Sequence, residues 1–196
     1  MSLAPRTYTK VELLQLLRAR LSPLSDAPRY LGPDHAAVVM LVTLQGGSIE
    51  VLFAKRAEDL RDPWSGQIAF PGGRSKEVDT TLAQTACREF FEETFVDICK
   101  KSEMLGILET INPRNLPSVS VTPFVAYCDR KFVFTASSEV TEVFWAPLAA
   151  LERREVDAQV AGRVIRNVSG FIYGRYVIWG LTAHILDSFR SVLATG

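Results

Sequence analysis

The sequence has few cysteines, no long apolar run and no excess of charge of either sign, and each shortage excludes a class of protein. Its three cysteines, Cys87, Cys99 and Cys128, contain no CxxC pair, so we expect free thiols rather than a disulfide framework or a zinc site. No run approaches the roughly 18 apolar residues of a membrane span, and the stretch MSLAPRTYTK lacks the apolar core of a signal peptide. We therefore expect a soluble, cytoplasmic protein without a membrane partner.

Charge and size limit the partners further. Lysine plus arginine total 22, and aspartate plus glutamate also total 22, so the chain has no basic field for duplex nucleic acid. A small-molecule substrate is the expected partner. The 196 residues, 47% of them hydrophobic, are enough for one packed core. We expect a single domain over 1–196, with an N-terminal helix and loop over 1–34 and a core over 36–193.

The first elements carry clear local signals. Thr9 and Glu12 form a capping-box pattern, which predicts a helix that begins there and ends near Pro23. The run AAVVMLVTL over 36–44 is rich in β-branched residues and predicts a buried strand. A glycine turn over 45–48 and the segment IEVLFAKR predict the returning strand of a hairpin.

The rest of the chain predicts more strands than helices. After a loop rich in glycine and proline over 57–78, a helix is expected over 80–94 and an amphipathic helix over 179–193. Strand-like runs follow the first of these helices, at 104–111, 119–128, 132–135, 140–146 and 164–168. A mixed sheet packed with helices is the expected architecture.

The expected helix over 80–94 carries an acidic cluster. Glu89, Glu92 and Glu93 lie three and four residues apart, so they share one helix face, where each like-charged pair destabilises the helix by roughly 0.2 to 0.5 kcal/mol. A hard divalent cation, Mg²⁺ or Mn²⁺, would offset that repulsion, and Arg88 can reach Glu92 and orient it. The alternative is a solvated acidic face that only keeps the protein soluble.

The loop before this helix favours the cation. Pro71, Gly72 and Gly73 predict a tight turn in which backbone groups approach an anion or a metal closely. Asp79 is the expected N-cap of the helix.

The segment Arg88-Glu89-Phe90-Phe91-Glu92-Glu93 resembles the second half of the signature motif of the Nudix hydrolases. The first half departs from that motif: Gly73 lies one residue further from Arg88 than usual, Asp79 stands where glutamate is usual, and Phe95 replaces a closing glycine. The coenzyme A diphosphatase branch of the family carries the same extra residue.

Other segments are similar to the coenzyme A branch as well. They are the pair Lys55-Arg56, the pair Leu60-Arg61, the segment GQIAFPGG over 66–73, and the segments over 118–127, 139–148 and 178–186. The loop DPWS over 62–65 departs from the branch, which usually has three residues including a histidine there. The resemblance therefore implies the reaction type more firmly than the substrate.

The resemblance implies an α+β fold, an α/β/α sandwich in which a mixed sheet packs between helices and carries a loop-helix-loop catalytic motif. It implies that Mg²⁺ or Mn²⁺ is held by Glu89, Glu92, Glu93 and the Gly73 carbonyl. The residues carried over as catalytic are Glu92, Glu89, Arg88 and Glu139, and those carried over as substrate-binding are Arg56, Arg61 and Gly72. The general base stays open between Glu89, Glu92 and Glu139, since Glu139 also reads as an exposed strand-end residue.

The implied reaction is metal-dependent hydrolysis of a diphosphate bond in a nucleotide-derived substrate. Coenzyme A or an acyl-coenzyme A would give 3′,5′-ADP and 4′-phosphopantetheine or its acyl form. ADP-ribose, dinucleoside polyphosphates and nucleoside triphosphates are the alternative substrates, and a binding module without turnover is a third hypothesis. A homodimer is a further option, through edge strands such as the one expected near Phe132.

Overall fold

The fold is a sheet flanked by helices, seen in a computed structural model that describes residues 6–29, 32–59, 64–135, 137–160 and 162–194. Within these ranges the helices are α1 Lys10–Arg20, α2 Leu82–Thr94, α3 Ile98–Lys101 and α4 Gly180–Ala194. The strands are β1 His35–Gln45, β2 Ser48–Arg56, β3 Ile68–Ala69, β4 Gly72–Arg74, β5 Glu103–Ile107, β6 Ser120–Tyr127, β7 Val140–Pro147, β8 Glu152–Val160, β9 Arg163–Tyr173 and β10 Tyr176–Trp179.

The main sheet is mixed, with β1 near its centre. Its strand order is β3-β2-β1-β6-β5, while β4 pairs with β1 and β7 pairs with β2. Strands β1 and β6 are parallel, and the other pairings in this sheet are antiparallel. Strands β8, β9 and β10 form a second, antiparallel sheet. The mixed sheet expected from the sequence is confirmed.

The early local signals are confirmed in detail. Thr9 caps α1 through a capping box in which its side chain accepts from the Glu12 amide and the Glu12 side chain accepts from the Thr9 amide. Gly46 and Gly47 adopt positive φ angles of 57° and 82°, which suits the two-residue turn between β1 and β2. The helix cap and the hairpin turn both depend on residues close together in sequence, and this is why sequence patterns predict them well.

The two faces of the main sheet carry separate cores. On one face, Leu82, Ala86 and Phe90 of α2 pack against β1, β2 and β6. On the other face, α1 and α4 pack against the same strands, with Leu17 and Phe189 fully buried. Helices therefore cover both faces, and the α/β/α sandwich that the sequence implied is confirmed. Because the apolar side of α2 packs on the sheet, the position of its glutamates relative to the sheet is fixed as well.

One expected strand is absent, and some observed strands were not expected. Residues 132–135 form no strand; instead Phe132 and Phe134 turn their rings inward, and Phe134 meets Phe90 edge-on at a centroid distance of 6.5 Å. The expected edge strand near Phe132 is therefore absent from this described segment, and the homodimer stays a prediction. Strands β8 and β10 were not expected, because the sequence of β8, ERREVDAQV, is mostly exposed and charged.

The expectation of three free thiols is also wrong. Cys87 of α2 and Cys99 of α3 form a disulfide with a Cα–Cα distance of 5.9 Å, while Cys128 is free and buried. Phe95 ends α2 in the left-handed conformation, with φ 55°, so the chain reverses and α3 returns toward α2. The sequence spacing of the two cysteines does not show this reversal.

In the part of the chain that the structure describes, no helix has the length and apolar character needed to cross a membrane.

Neighbouring phenylalanines on α2 test how the helix is held. Phe90→Ala should lower the free energy of unfolding by about 3 to 5 kcal/mol, because its fully buried ring leaves a cavity between α2 and the sheet. Phe91→Ala is the matched control, since the Phe91 side chain is 47% exposed, and should cost less than about 1 kcal/mol. Urea denaturation followed by circular dichroism measures both, and equal losses would contradict this packing.

Candidate active site

The three glutamates of α2 lie beside the short strand β4. Glu89 and Glu93 are buried and Glu92 is exposed. The Gly72 amide donates a hydrogen bond of 3.1 Å to the Glu93 carboxylate, and Gly73 faces the Glu89 carboxylate. The helix face and the glycine loop identified in the sequence therefore come together at one place.

The glycines of β4 permit this close approach. Gly72 has a φ of 153°, and a Cβ added there would lie 2.5 Å from the Val38 Cα. A Cβ on Gly73 would lie 2.6 Å from the Glu89 Cδ, well inside van der Waals contact. The tight turn expected over 71–73 is only partly seen, because 72–74 extend along β1 and pair with 36–38. Hydrogen bonding to β1 fixes the backbone of this segment more firmly than a free turn would.

Arg88 ties the loop to the helix. Its Nε and Nη2 donate to the two carboxylate oxygens of Asp79 at 2.9 and 2.7 Å, and Nη2 also donates to the Arg74 carbonyl at 3.0 Å. Its Nη1 donates to Glu89 and, at 3.2 Å, to Glu92. Arg88 was expected among the catalytic residues, and in the structure its guanidinium bonds to Asp79, Glu89, Glu92 and the Arg74 carbonyl.

Asp79 is not the N-cap of α2, so that expectation is wrong. The cap is Thr81, whose hydroxyl accepts from the Gln84 amide at 3.2 Å. Asp79 lies two residues earlier and accepts from Arg88, from the Lys76 amide at 2.9 Å and from the Thr85 hydroxyl at 3.0 Å. The bidentate pairing with a guanidinium is stronger than a single cap hydrogen bond, which explains where the side chain goes.

The Asp79–Arg88 pair fixes the charge of both groups. Hydrogen bonds from Arg88 above all, helped by the Lys76 amide and the Thr85 hydroxyl, lower the pKa of Asp79 to about 2 against the opposing effect of burial. The same pairing raises the pKa of Arg88 above its already high ordinary value. The pair is therefore ionised throughout the physiological range.

The pKa of Glu93 is shifted upward, opposite to that of Asp79. Burial raises the pKa of Glu93 to about 8, although the Arg56 guanidinium, 3.7 Å away, and the Gly72 amide act against it. The negative charges of Glu89 and Glu139 add to the increase. Glu139, at the start of β7, is thus close enough to interact with the cluster, although the residue itself is exposed.

Lys76 also belongs to the site, and the sequence analysis missed it. Its Nζ lies 3.0 Å from a Glu92 carboxylate oxygen and 3.7 Å from a Glu89 oxygen. Burial alone would raise the pKa of Glu92, but the hydrogen bonds from Lys76 and Arg88 prevail and lower it. A lysine between the glycine pair and an acidic helix is the signal that could have identified it.

Of the two arginines expected to bind substrate, Arg56 and Arg61, the structure describes only the first. Arg56, at the end of β2, reaches the cluster through Glu93, and its amide donates to the Gln67 carbonyl at 3.0 Å. Arg61 lies outside the described residues, as do the first two residues of the 62–65 loop. The last residue of that loop, Ser65, is buried and accepts from the Asp59 amide at 2.9 Å.

The donor set suits a hard divalent cation. It consists of three carboxylates beside a glycine backbone on which no side chain stands in the way. Among the described residues, no three acidic, histidine or cysteine side chains are already arranged around a common point. The carboxylates instead contact Arg88, Lys76 and the Gly72 amide. A bound cation would therefore have to displace at least one of these donors from the carboxylates.

A cleft of about 350 Å³ lies between the end of β2, strand β3 and the second sheet. Its lining includes Lys55, Gln67, Ile68, Gln159, Tyr176 and Trp179. Lys55 and Arg56 are consecutive, yet Arg56 contacts Glu93 of α2 while Lys55 lines the cleft with residues of the second sheet. Consecutive residues of a strand point to opposite faces, which accounts for this division.

Comparisons with known proteins agree on one family. A model described as a NUDIX domain matches residues 33–168. The mitochondrial coenzyme A diphosphatase NUDT8 of Homo sapiens is 29% identical over 169 residues, which cover 84% of this chain and 71% of that protein. A protein described as an uncharacterized Nudix hydrolase, NudL of Cronobacter sakazakii, is 32% identical over 177 residues, which cover 88% of this chain and 86% of that protein.

A solved structure supports the fold. The MutT/nudix family protein of Enterococcus faecalis aligns with a TM-score of 0.54 and 19% identity, covering 95% of this chain and 75% of that one. At this identity the likeness concerns the fold alone.

Replacing Asp79 tests the loop-to-helix tie through its pH dependence. The pKa of Asp79 is lower in the folded chain, about 2, than in the unfolded chain, near 3.8. Its contribution to the free energy of unfolding is therefore complete above the unfolded value and is lost as the pH falls toward the folded value. Asp79→Asn should therefore lower the free energy of unfolding by about 2 kcal/mol at pH 7, and the difference should shrink below pH 4. Urea titrations from pH 7 to pH 2 measure it.

The control is Glu77→Gln, on an exposed side chain of the same loop, which should leave the unfolding curve unchanged. A constant difference between Asp79→Asn and the wild type across this pH range would contradict the assigned pairing.

Proposed function

The chain belongs to the Nudix hydrolase family, and from this premise we propose that it hydrolyses the diphosphate bond of coenzyme A or an acyl-coenzyme A with Mg²⁺ or Mn²⁺. As a Nudix pyrophosphatase it acts on nucleotide-derived substrates. The finer assignment rests on its similarity to proteins named coenzyme A diphosphatase and on the segments over 66–73 and 118–127. The products would be 3′,5′-ADP and 4′-phosphopantetheine or its acyl form.

The observation that carries the proposal is the contact between the glutamate cluster of α2 and the glycine backbone of β4. A buried carboxylate such as Glu93 is costly unless a partner offsets its charge. Carboxylates placed beside accessible backbone carbonyls provide a set of hard oxygen ligands. A solvated acidic face would not bury two of its three members.

We assign the ligand role to Glu89, Glu92, Glu93 and the Gly73 carbonyl. A bound divalent cation would supply activation of water and neutralise negative charge on the phosphate oxygens. Arg56 holds the diphosphate through its guanidinium fork, close to Glu93. Arg61 and the Gly72 backbone stay in the proposal as further substrate contacts. Arg88 holds Glu89 and Glu92 in place and is kept from substrate by its bonds to Asp79.

We favour Glu139 as the general base. Glu89 and Glu92 are assigned as cation ligands, and Arg88 donates to both, so their oxygens are already engaged. Glu139 is exposed at the start of β7, and its carbonyl is anchored by the Ala57 amide at 2.8 Å. Its negative charge helps to raise the pKa of Glu93, so it lies near the cluster.

We assign the cleft beside Lys55 to the part of the substrate beyond the diphosphate. Lys55 and Gln67 line it, and the Gln67 carbonyl accepts from the Arg56 amide. Tyr176 and Trp179 offer aromatic faces and Lys55 a cation, which together suit a phosphorylated nucleoside. ADP-ribose, dinucleoside polyphosphates and nucleoside triphosphates contain the same kind of phosphoanhydride bond and are the alternative substrates. A module that only binds is disfavoured by the cost of keeping three carboxylates together.

A substrate panel tests the proposal. Purified protein with Mg²⁺ or Mn²⁺ should cleave coenzyme A faster than ADP-ribose, diadenosine polyphosphates or nucleoside triphosphates, with release of 3′,5′-ADP measured by chromatography. Glu92→Gln should lower kcat/KM on the order of a hundredfold or more, because a charged ligand is replaced by a neutral amide.

Glu77→Gln serves as the control, since its side chain is exposed outside the cluster. Preference for another substrate would overturn the coenzyme A assignment and keep the chemistry. Absence of turnover with every substrate would favour the binding module instead.

Glu139→Gln separates the base from the ligands. If Glu139 accepts the proton, this change should lower kcat by roughly 10²- to 10⁴-fold and leave the Kd for Mn²⁺ unchanged. Glu89→Gln should instead weaken Mn²⁺ binding. Steady-state kinetics and Mn²⁺ titration give both quantities. An unchanged kcat in Glu139→Gln would move the base to Glu89 or Glu92.

A further inference from the structure

Lys76 is the group of the site that the proposed hydrolysis does not use. Its ammonium lies between Glu92 and Glu89, where a cation bound by those two carboxylates would also lie. We propose that Lys76 is a tethered competitor of the divalent cation, so that binding of the cation requires its ammonium to leave Glu89 and Glu92. This inference rests on the proposed function, because it takes the two glutamates as cation ligands.

Lys76, rather than Arg88, is the group that can leave. The Lys76 side chain is 54% exposed and that of Arg88 is 18% exposed. Arg88 donates to Asp79 with two nitrogens and also to the Arg74 carbonyl, so it cannot swing away without breaking the tie to the loop. The flexible four-carbon stem of a lysine allows its ammonium to move into solvent at little cost.

The backbone of Lys76 is anchored independently of its side chain. Its amide donates to the Asp79 carboxylate at 2.9 Å, and its carbonyl accepts from the Asp79 amide at 2.9 Å. Both hydrogen bonds use the backbone of residue 76, so every substitution except proline keeps them. Lys76→Met therefore removes the charge, keeps the length of the stem and leaves the turn intact.

Competition between Lys76 and the cation predicts the direction in which the Kd for Mn²⁺ changes. A unit positive charge within 4 Å of two ligand oxygens opposes a divalent cation by its own charge and by the contacts that must be broken. Lys76→Met should lower the Kd for Mn²⁺ roughly three- to tenfold, a moderate effect because the group is half exposed and screened by solvent. The gain should shrink at about 1 M salt, where the Debye length is about 3 Å.

The experiment is a titration of the full chain with Mn²⁺ alone, without substrate, in which electron paramagnetic resonance measures the free ion. Lys76→Met should bind more tightly than the wild type, and Lys76→Arg, which retains a cation, should return toward the wild-type Kd. Lys100→Met is the matched control, since Lys100 is an exposed lysine paired with Asp97 at 3.0 Å on the neighbouring helix. Its Kd should not change.

An equal or higher Kd in Lys76→Met, with an unchanged circular dichroism spectrum, would overturn the competition and leave the proposed function standing. If Glu92→Gln binds Mn²⁺ as tightly as the wild type, the assignment of the ligands fails, and the role of Lys76 fails with it. A structural role for Lys76 would loosen Mn²⁺ binding in Lys76→Met, which is the opposite sign.

Discussion

The site depends above all on one guanidinium. Arg88 satisfies four side-chain or backbone partners at once, and through Asp79 it joins the loop after β4 to the middle of α2. Without that tie, the repulsion among the glutamates would favour fraying of the last turns of α2. Because Arg88 is held in a bidentate pair, its direction is fixed as well as its charge.

The glutamates differ in their surroundings although they share one helix face. Glu92 is exposed and paired with cations, while Glu93 is buried between the Gly72 amide and Arg56. The pKa values of the two therefore move in opposite directions, downward for Glu92 and upward for Glu93. A row of like residues in the sequence thus becomes a set of groups with different proton affinities.

Sequence patterns predicted what depends on near neighbours. The capping box at Thr9, the buried strand β1 and the position of α2 all follow from residues within one or two turns. The partner of Asp79, the disulfide of Cys87 and the loss of a strand near Phe132 depend on contacts that form only after the chain has packed. Apart from the run over 164–168 in β9, the second sheet escaped prediction because exposed charges mask its alternation.

Two consecutive residues of β2 face different parts of the molecule. Arg56 faces the glutamate cluster and Lys55 faces the cleft of the second sheet. Substitutions in β8 or β10 reshape the wall behind Lys55 while α2 and β4 keep their shared contacts on the other face. The sheet thereby insulates the glutamate cluster from changes in the lining of the cleft.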